Sequence, residues 1–187
     1  MKLLIKHSVR PSRKKGFFSI LSVLVMNSTM NTTVSMSTHH VFVYGSLKKG
    51  QPNHHELLNS NNGQAEFITC AQTKEPYPLV IATKHNIPFL LNVPGSGKQV
   101  SGEIYSVDQK MLEFLDWFEK CPDWYQRTSI QLEILKGNGE SGRIEEASVY
   151  SKINFEPDWL NKPTHESYDT NGDHGLKFVC REDRKDD

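Results

Sequence analysis

Beyond residue 38, short apolar runs alternate with polar breaks along most of the chain. Val41–Tyr44 (VFVY) is a β-branched and aromatic run stopped by Gly45, which predicts a buried strand followed by a turn. Glu66–Gln72, Leu79–Ala82, Phe89–Val93 and Val100–Val107 predict four more strands, with Glu75-Pro76-Tyr77-Pro78 and Pro94-Gly95-Ser96-Gly97 as breaks between them. The two prolines at 76 and 78 impose extended or turn geometry and admit a cis X–Pro bond. Ser129–Leu135 (SIQLEIL) alternates cleanly, Lys136–Gly142 reads as a turn region, and Ala147–Tyr150 is the last clear strand. Pro52-Asn53 opens a short segment, His54–Leu58, of one or two helical turns. A strong helical period runs from the capping residue Asp108 to about Lys120, where Cys121-Pro122 ends it. Turn residues dominate from Pro157 onward, and Arg181–Asp187 reads as a frayed tail. No internal repeat is visible. Many strands with one strong helix predict an α+β domain built on an antiparallel sheet or barrel.

Charge divides the chain unevenly. The 22 Lys and Arg balance 22 Asp and Glu, yet residues 1–38 hold six bases and no acid. From His39 on, 16 bases face 22 acids, a net charge of about −6 that would repel a polyanion, so nucleic acid is not an expected partner. Residues 1–38 are set apart from the fold as a disordered or targeting-like extension, and residues 39–187 form the expected folded domain. Within the extension, Phe17–Met26 is too short to span a bilayer, and no membrane association is expected. Its basic lead resembles a signal peptide without an A-x-A-like site. Its acid-free, Arg- and Ser-containing composition equally suits a mitochondrial transit segment, and internal starts exist at Met26, Met30 and Met36. Cys70, Cys121 and Cys180 form no CxxC pair, which argues for a reducing compartment and against a disulfide scaffold or zinc ribbon.

Two features carry candidate chemistry. The turn Tyr44-Gly45-Ser46-Leu47-Lys48-Lys49-Gly50 is either an ordinary strand-ending turn or an anion nest, in which Gly45 and Gly50 permit positive φ and close ligand approach. It is not a phosphate-binding Walker loop, because Gln51-Pro52 follows it, and Ser46 lacks the G-x-S-x-G elbow of a nucleophile. On a wheel for residues 108–120, with Met111 at the origin, Leu115 falls at about 40°, Phe118 at about −20°, Phe114 at about −60° and Leu112 at about 100°. Glu119 falls at about 80°, inside this apolar arc. Either it reaches the rim and pairs with Arg127 or a lysine, or it is a buried carboxyl whose pKa rises toward neutrality, suited to moving protons. Trp117, Phe118, Trp124 and Tyr125 read as core, with the lining of a pocket as the lesser alternative. The eight histidines offer no metal-ligand spacing, so no metal is expected.

Val41–His54 (VFVYGSLKKGQPNH), Glu75–Val80 (EPYPLV), His85–Pro88, Gly102–Tyr105, Phe114–Glu119, Tyr125–Thr128, Ser167–Asp169 and His174–Leu176, in that order, resemble the γ-glutamylaminecyclotransferases of the γ-glutamylcyclotransferase-like superfamily. The match covers roughly residues 41 to 182. The resemblance implies an antiparallel β-barrel-like core with flanking helices. It further implies conversion of L-γ-glutamyl-L-ε-lysine and other γ-glutamylamines to 5-oxo-L-proline plus the free amine, without a cofactor. It places the acid/base glutamate on Glu119 and the substrate-holding loop on Tyr44, Gly45, Ser46 and Leu47. Gln51–His54 and Glu75–Pro78 are expected as pocket walls. A small-molecule substrate, a monomer and a cytoplasmic location are expected, with the extension leaving mitochondrial or secretory targeting open. Glutathione or γ-glutamyl-amino-acid cyclisation, and a catalytically silent binding module on the same fold, are the alternatives.

Overall fold

A computed structural model describes residues 38–135 and 142–184. Residues 1–37, which include most of the N-terminal extension, and most of the expected turn at 136–142 lie outside the described residues. Among the described residues seven strands form: β1 His39–Val43, β2 Ala65–Thr73, β3 Leu79–Ala82, β4 Ile87–Leu90, β5 Ser101–Val107, β6 Gln126–Ile134 and β7 Ile144–Ser151. Two α-helices, α1 His54–Leu58 and α2 Gln109–Phe118, flank them, and 3₁₀ turns occupy Pro157–Asn161 and Arg181–Asp183.

Strands β1, β5, β2, β6 and β7 close into a barrel in that order. All the neighbours are antiparallel except the closing pair, where Val41 lies beside Ser148 and Phe42 beside Val149 in parallel register. The mixed α+β class with a barrel core and flanking helices is therefore as anticipated. Strand alternation splits the apolar residues into two layers. Phe42, Ala71, Ile104, Leu132 and Val149, from all five strands, join one cluster that fills the barrel. Val41, Val43, Tyr105, Val107 and Tyr150 face outward and pack against Met111, Leu112, Leu115 and Phe118 of α2. Burying a side chain of this size contributes about 1.5–3 kcal/mol each, so this outer layer fixes α2 on the barrel wall.

The element boundaries differ where polar residues occupy strand positions. Strand β6 begins at Gln126 rather than Ser129, and β7 at Ile144 rather than Ala147, because the ladder pairing Gln126 with Ser151 and Glu133 with Ile144 extends past the apolar stretch. Strand β4 is Ile87–Leu90 rather than Phe89–Val93. Its first residues pair with β3 in a two-stranded hairpin, where Pro88 opposite Ile81 is tolerated because a third strand is lacking. The cis peptide lies at Cys121-Pro122, not in the Glu75–Pro78 segment.

Helix α2 is capped as expected, Asp108 Oδ1 accepting the Met111 N–H at 2.8 Å. It stops at Phe118, two residues short of the expected end. Lys120 enters the left-handed region (φ 52°), its N–H donates to Trp117 O (3.0 Å), and the Cys121 N–H donates to Asp116 O (2.8 Å). Those two bonds make a Schellman motif with Glu119 as C-cap. The aromatic stretch is not uniformly core. Trp117 projects from the outer side of α2 with 72% of its surface exposed, and Trp124 is partly exposed beneath Lys152, whose Nζ sits 3.8 Å from its ring centre. The expected frayed tail is docked in part: an Nη of Arg181 donates to Phe118 O at 2.7 Å, and its guanidinium lies on the Phe118 ring.

Candidate active site

A cavity of about 820 Å³ opens where β1 leaves the barrel. Tyr44, Gly45, Ser46 and Leu47 form one side of it, and Glu119 projects from the end of α2 on another. The residues singled out on separate sequence grounds therefore share one cavity.

The turn is held by its own side chains. Asn53 Nδ2 donates to Ser46 Oγ (2.9 Å), the His54 imidazole contacts Leu47 O (3.0 Å), and the Lys49 N–H donates to Glu103 Oε2 (3.0 Å). Gln51 ties the end of the turn to 169–170, its Oε1 accepting the Thr170 N–H at 2.9 Å. The backbone N–H groups of Gly45, Ser46 and Leu47 donate to no partner among the described residues. Gly50 has the expected positive φ of 79°, but Gly45 does not. Space is tight at Gly45 instead, since a Cβ there would stand 3.0 Å from Pro88 Cγ. Among the described residues the Ser46 hydroxyl donates to no base, and its oxygen accepts from Asn53 Nδ2.

Three tyrosines surround the carboxyl of Glu119 without serving it. Tyr44 Oη donates to Tyr150 O (2.8 Å), Tyr125 Oη to Pro88 O (3.2 Å) and Tyr150 Oη to Asp116 Oδ1 (2.7 Å). A phenol has one proton to give, and all three are given elsewhere. Among the described residues no donor is hydrogen-bonded to Glu119. Burial against these rings pushes its carboxyl from 4.5 up to about 7, and the positive charge of Arg181 draws it back only in part. Residue Glu119 is half-buried as a whole because it faces the open cavity. Arg127, a sequence candidate for its partner, is bidentate to Asp116 instead, at 2.9 and 3.2 Å.

Of the expected walls, Asn53 lines the cavity, but Glu75–Pro78 does not. Tyr77 bridges to Lys98 away from the site, and the hairpin turn at Thr83–Pro88 takes that place. Sequence reasoning missed Asp116, which lies outside the apolar arc of α2 and anchors Tyr150 in the cavity wall. It also missed Arg181, which had no periodic or motif signal. Among the described residues no cluster of His, Cys, Asp and Glu suits a metal ion.

The profile of the family described as "Gamma-glutamyl cyclotransferase, AIG2-like" matches residues 41–170, a span that includes the turn, the barrel and Glu119. The chain belongs to this family. It is 76% identical to Gamma-glutamylaminecyclotransferase B of Danio rerio over 143 residues, which are 76% of this chain and 74% of that protein. Identity to Gamma-glutamylaminecyclotransferase of Homo sapiens is 49% over 150 residues, 77% of this chain and 98% of that protein. A crystal structure of an AIG2-like protein from Mus musculus superposes with a TM-score of 0.75 at 49% identity, covering 79% of this chain and 99% of that one. Membership supports γ-glutamylaminecyclotransferase activity in general terms, and thus an enzyme.

Proposed function

We propose that the chain cyclises L-γ-glutamyl-L-ε-lysine, and other γ-glutamylamines with unbranched amines, to 5-oxo-L-proline and the free amine. The observation that carries this reading is the unpartnered Glu119 carboxyl, held near neutrality in a cavity opposite a turn with unused N–H groups. The substrate's α-amine, in its neutral form, attacks the γ-carbonyl carbon and closes a five-membered ring. Glu119 takes the proton that the attacking nitrogen must lose and delivers it to the departing ε-nitrogen as the C–N bond breaks. No water or cofactor enters the balance. The unused N–H groups of Gly45, Ser46 and Leu47 are suited to hold the substrate's α-carboxylate or to oppose the oxyanion of the tetrahedral intermediate. Because attack is intramolecular, folding the glutamyl chain on itself is the principal task of the cavity.

A pocket for an unbranched leaving amine rejects the α-branched cysteinyl nitrogen of glutathione by at least about 10²-fold in kcat/KM. Measuring 5-oxoproline formed from the isopeptide and from glutathione side by side tests this. Equal rates, or faster glutathione turnover, would replace the named substrate with a glutathione-type one. No product from any γ-glutamyl compound would favour a silent binding module.

A further inference from the structure

The walls of the cavity are cationic in a domain that is not. Lys84, Lys120, Arg181 and Arg184 line it, and among the described residues Glu119 is its one acidic side chain, although residues 39–187 carry a net charge of about −6. Clustering of cations against the overall charge marks a site for an anion. Arg181 opens the 3₁₀ turn that the sequence pattern left as a tail, and Arg184 follows that turn directly. The Arg181 guanidinium carbon rests 3.8 Å from the centre of the Phe118 ring while one nitrogen is bonded to the Phe118 carbonyl. Arg184 Nε donates to Val179 O at 3.2 Å, and its guanidinium lies 5.4 Å from the centre of the Phe178 ring. Neither has a carboxylate partner among the described residues. They lie near each other, and Arg184 is held below its ordinary value chiefly by burial and then by the charge of Arg181. Two guanidinium groups fixed by rings and carbonyls, with donors left over, form a preorganised receptor for a carboxylate.

The reading above supplies two carboxylates and places one. An ε-linked lysine carries its own α-carboxylate on the order of 6–7 Å beyond the scissile nitrogen, at the far end of its alkyl stem. Arg181 stands next to the reacting end of the cavity without touching it: it acts on Glu119 through space, yet its seat on Phe118 keeps it out of an ion pair. Resting on the activity proposed above, we infer that Arg181, backed by Arg184, is a specificity residue that binds the α-carboxylate of the departing amino acid. The enzyme would then favour γ-glutamyl-ε-lysine over simple γ-glutamylamines of equal stem length.

The probe pair is γ-glutamyl-ε-lysine and γ-glutamyl-cadaverine, which lacks only that carboxylate, assayed at pH 8.5 so that Glu119 is ionised throughout. Wild-type protein and Arg181→Gln are compared on both, with Arg181→Lys as the charge-conserving control. The expected result is a fall of about 10- to 100-fold in the preference for the isopeptide in Arg181→Gln, carried by KM rather than kcat. Partial recovery is expected in Arg181→Lys, which keeps a point charge without the fork. Equal losses on the two substrates would overturn the assignment, because a residue that holds the glutamyl half or merely supports the fold must affect both alike. A loss confined to kcat would overturn it too. Wild-type protein inert toward both substrates would instead defeat the proposed activity itself, a result separable from any property of Arg181.

Discussion

The Glu119 carboxyl should be a measurable burden on the fold, and Glu119→Gln exposes it. Burial raises this acid from 4.5 to about 7. Below pH 4.5 it is protonated in both folded and unfolded chains and contributes nothing. Between 4.5 and about 7 the folded chain binds a proton that the unfolded chain lacks, so stability falls as pH rises. Above about 7 the folded chain carries the full cost of a poorly solvated charge. At about 1.4 kcal/mol per pH unit, the total is on the order of 3 kcal/mol. The glutamine variant removes it while keeping the shape. Its stability advantage over wild type should therefore grow by about 2–3 kcal/mol between pH 5 and pH 8.5, or roughly 5–10 °C in melting temperature for a domain of this size. Denaturant titrations of both proteins at the two pH values measure this directly. Turnover of γ-glutamyl-ε-lysine should meanwhile fall by about 10²–10⁴. In wild type, kcat/KM should rise with pH through about 7, as the base form of Glu119 appears. A stability difference that stays constant with pH would show that the carboxyl titrates normally, and the proton-transfer role would lose its physical basis. Normal lysine release by the variant would do the same.

Other perturbations probe the surrounding structure. Tyr150→Phe deletes the 2.7 Å hydrogen bond to Asp116 and should cost about 2 kcal/mol in denaturant unfolding, since the acceptor is charged. Lys120→Gly relieves a non-glycine residue at φ 52° and should raise stability by about 0.5–1 kcal/mol, net of the added freedom of the unfolded chain; a loss would show that the lysine side chain is needed there. A chain beginning at Met36 should be soluble, as stable as the full chain and as active, and a large drop in melting temperature would place residues 1–35 in the domain's core.

Local chemistry determined much of this protein. The β-branched and aromatic run at 41–44, the Asp108 cap and the apolar stripe of α2 are short-range signals, and each formed about where the pattern put it. The stripe also marked Glu119, because a carboxyl among Met111, Leu112, Leu115 and Phe118 conflicts with the period of its own helix. Tertiary structure decided what lay beyond the reach of such signals. Closure of the barrel through parallel β1 and β7 joins residues more than a hundred positions apart, and alternation fixes which face a side chain takes but not which strand lies beside it. Whether Glu119 paired with Arg127 or stood alone was likewise undetermined by helical spacing. Arg127 comes from β6, and the barrel register delivers it to Asp116, leaving Glu119 among three tyrosines whose protons are already given away. Arg181 belongs to a turn with no periodicity, so its place on Phe118 existed only once the tail had folded back over the end of α2. Burial and partner choice are sums over the whole chain, and they set the proton affinity of a site that the sequence could only locate.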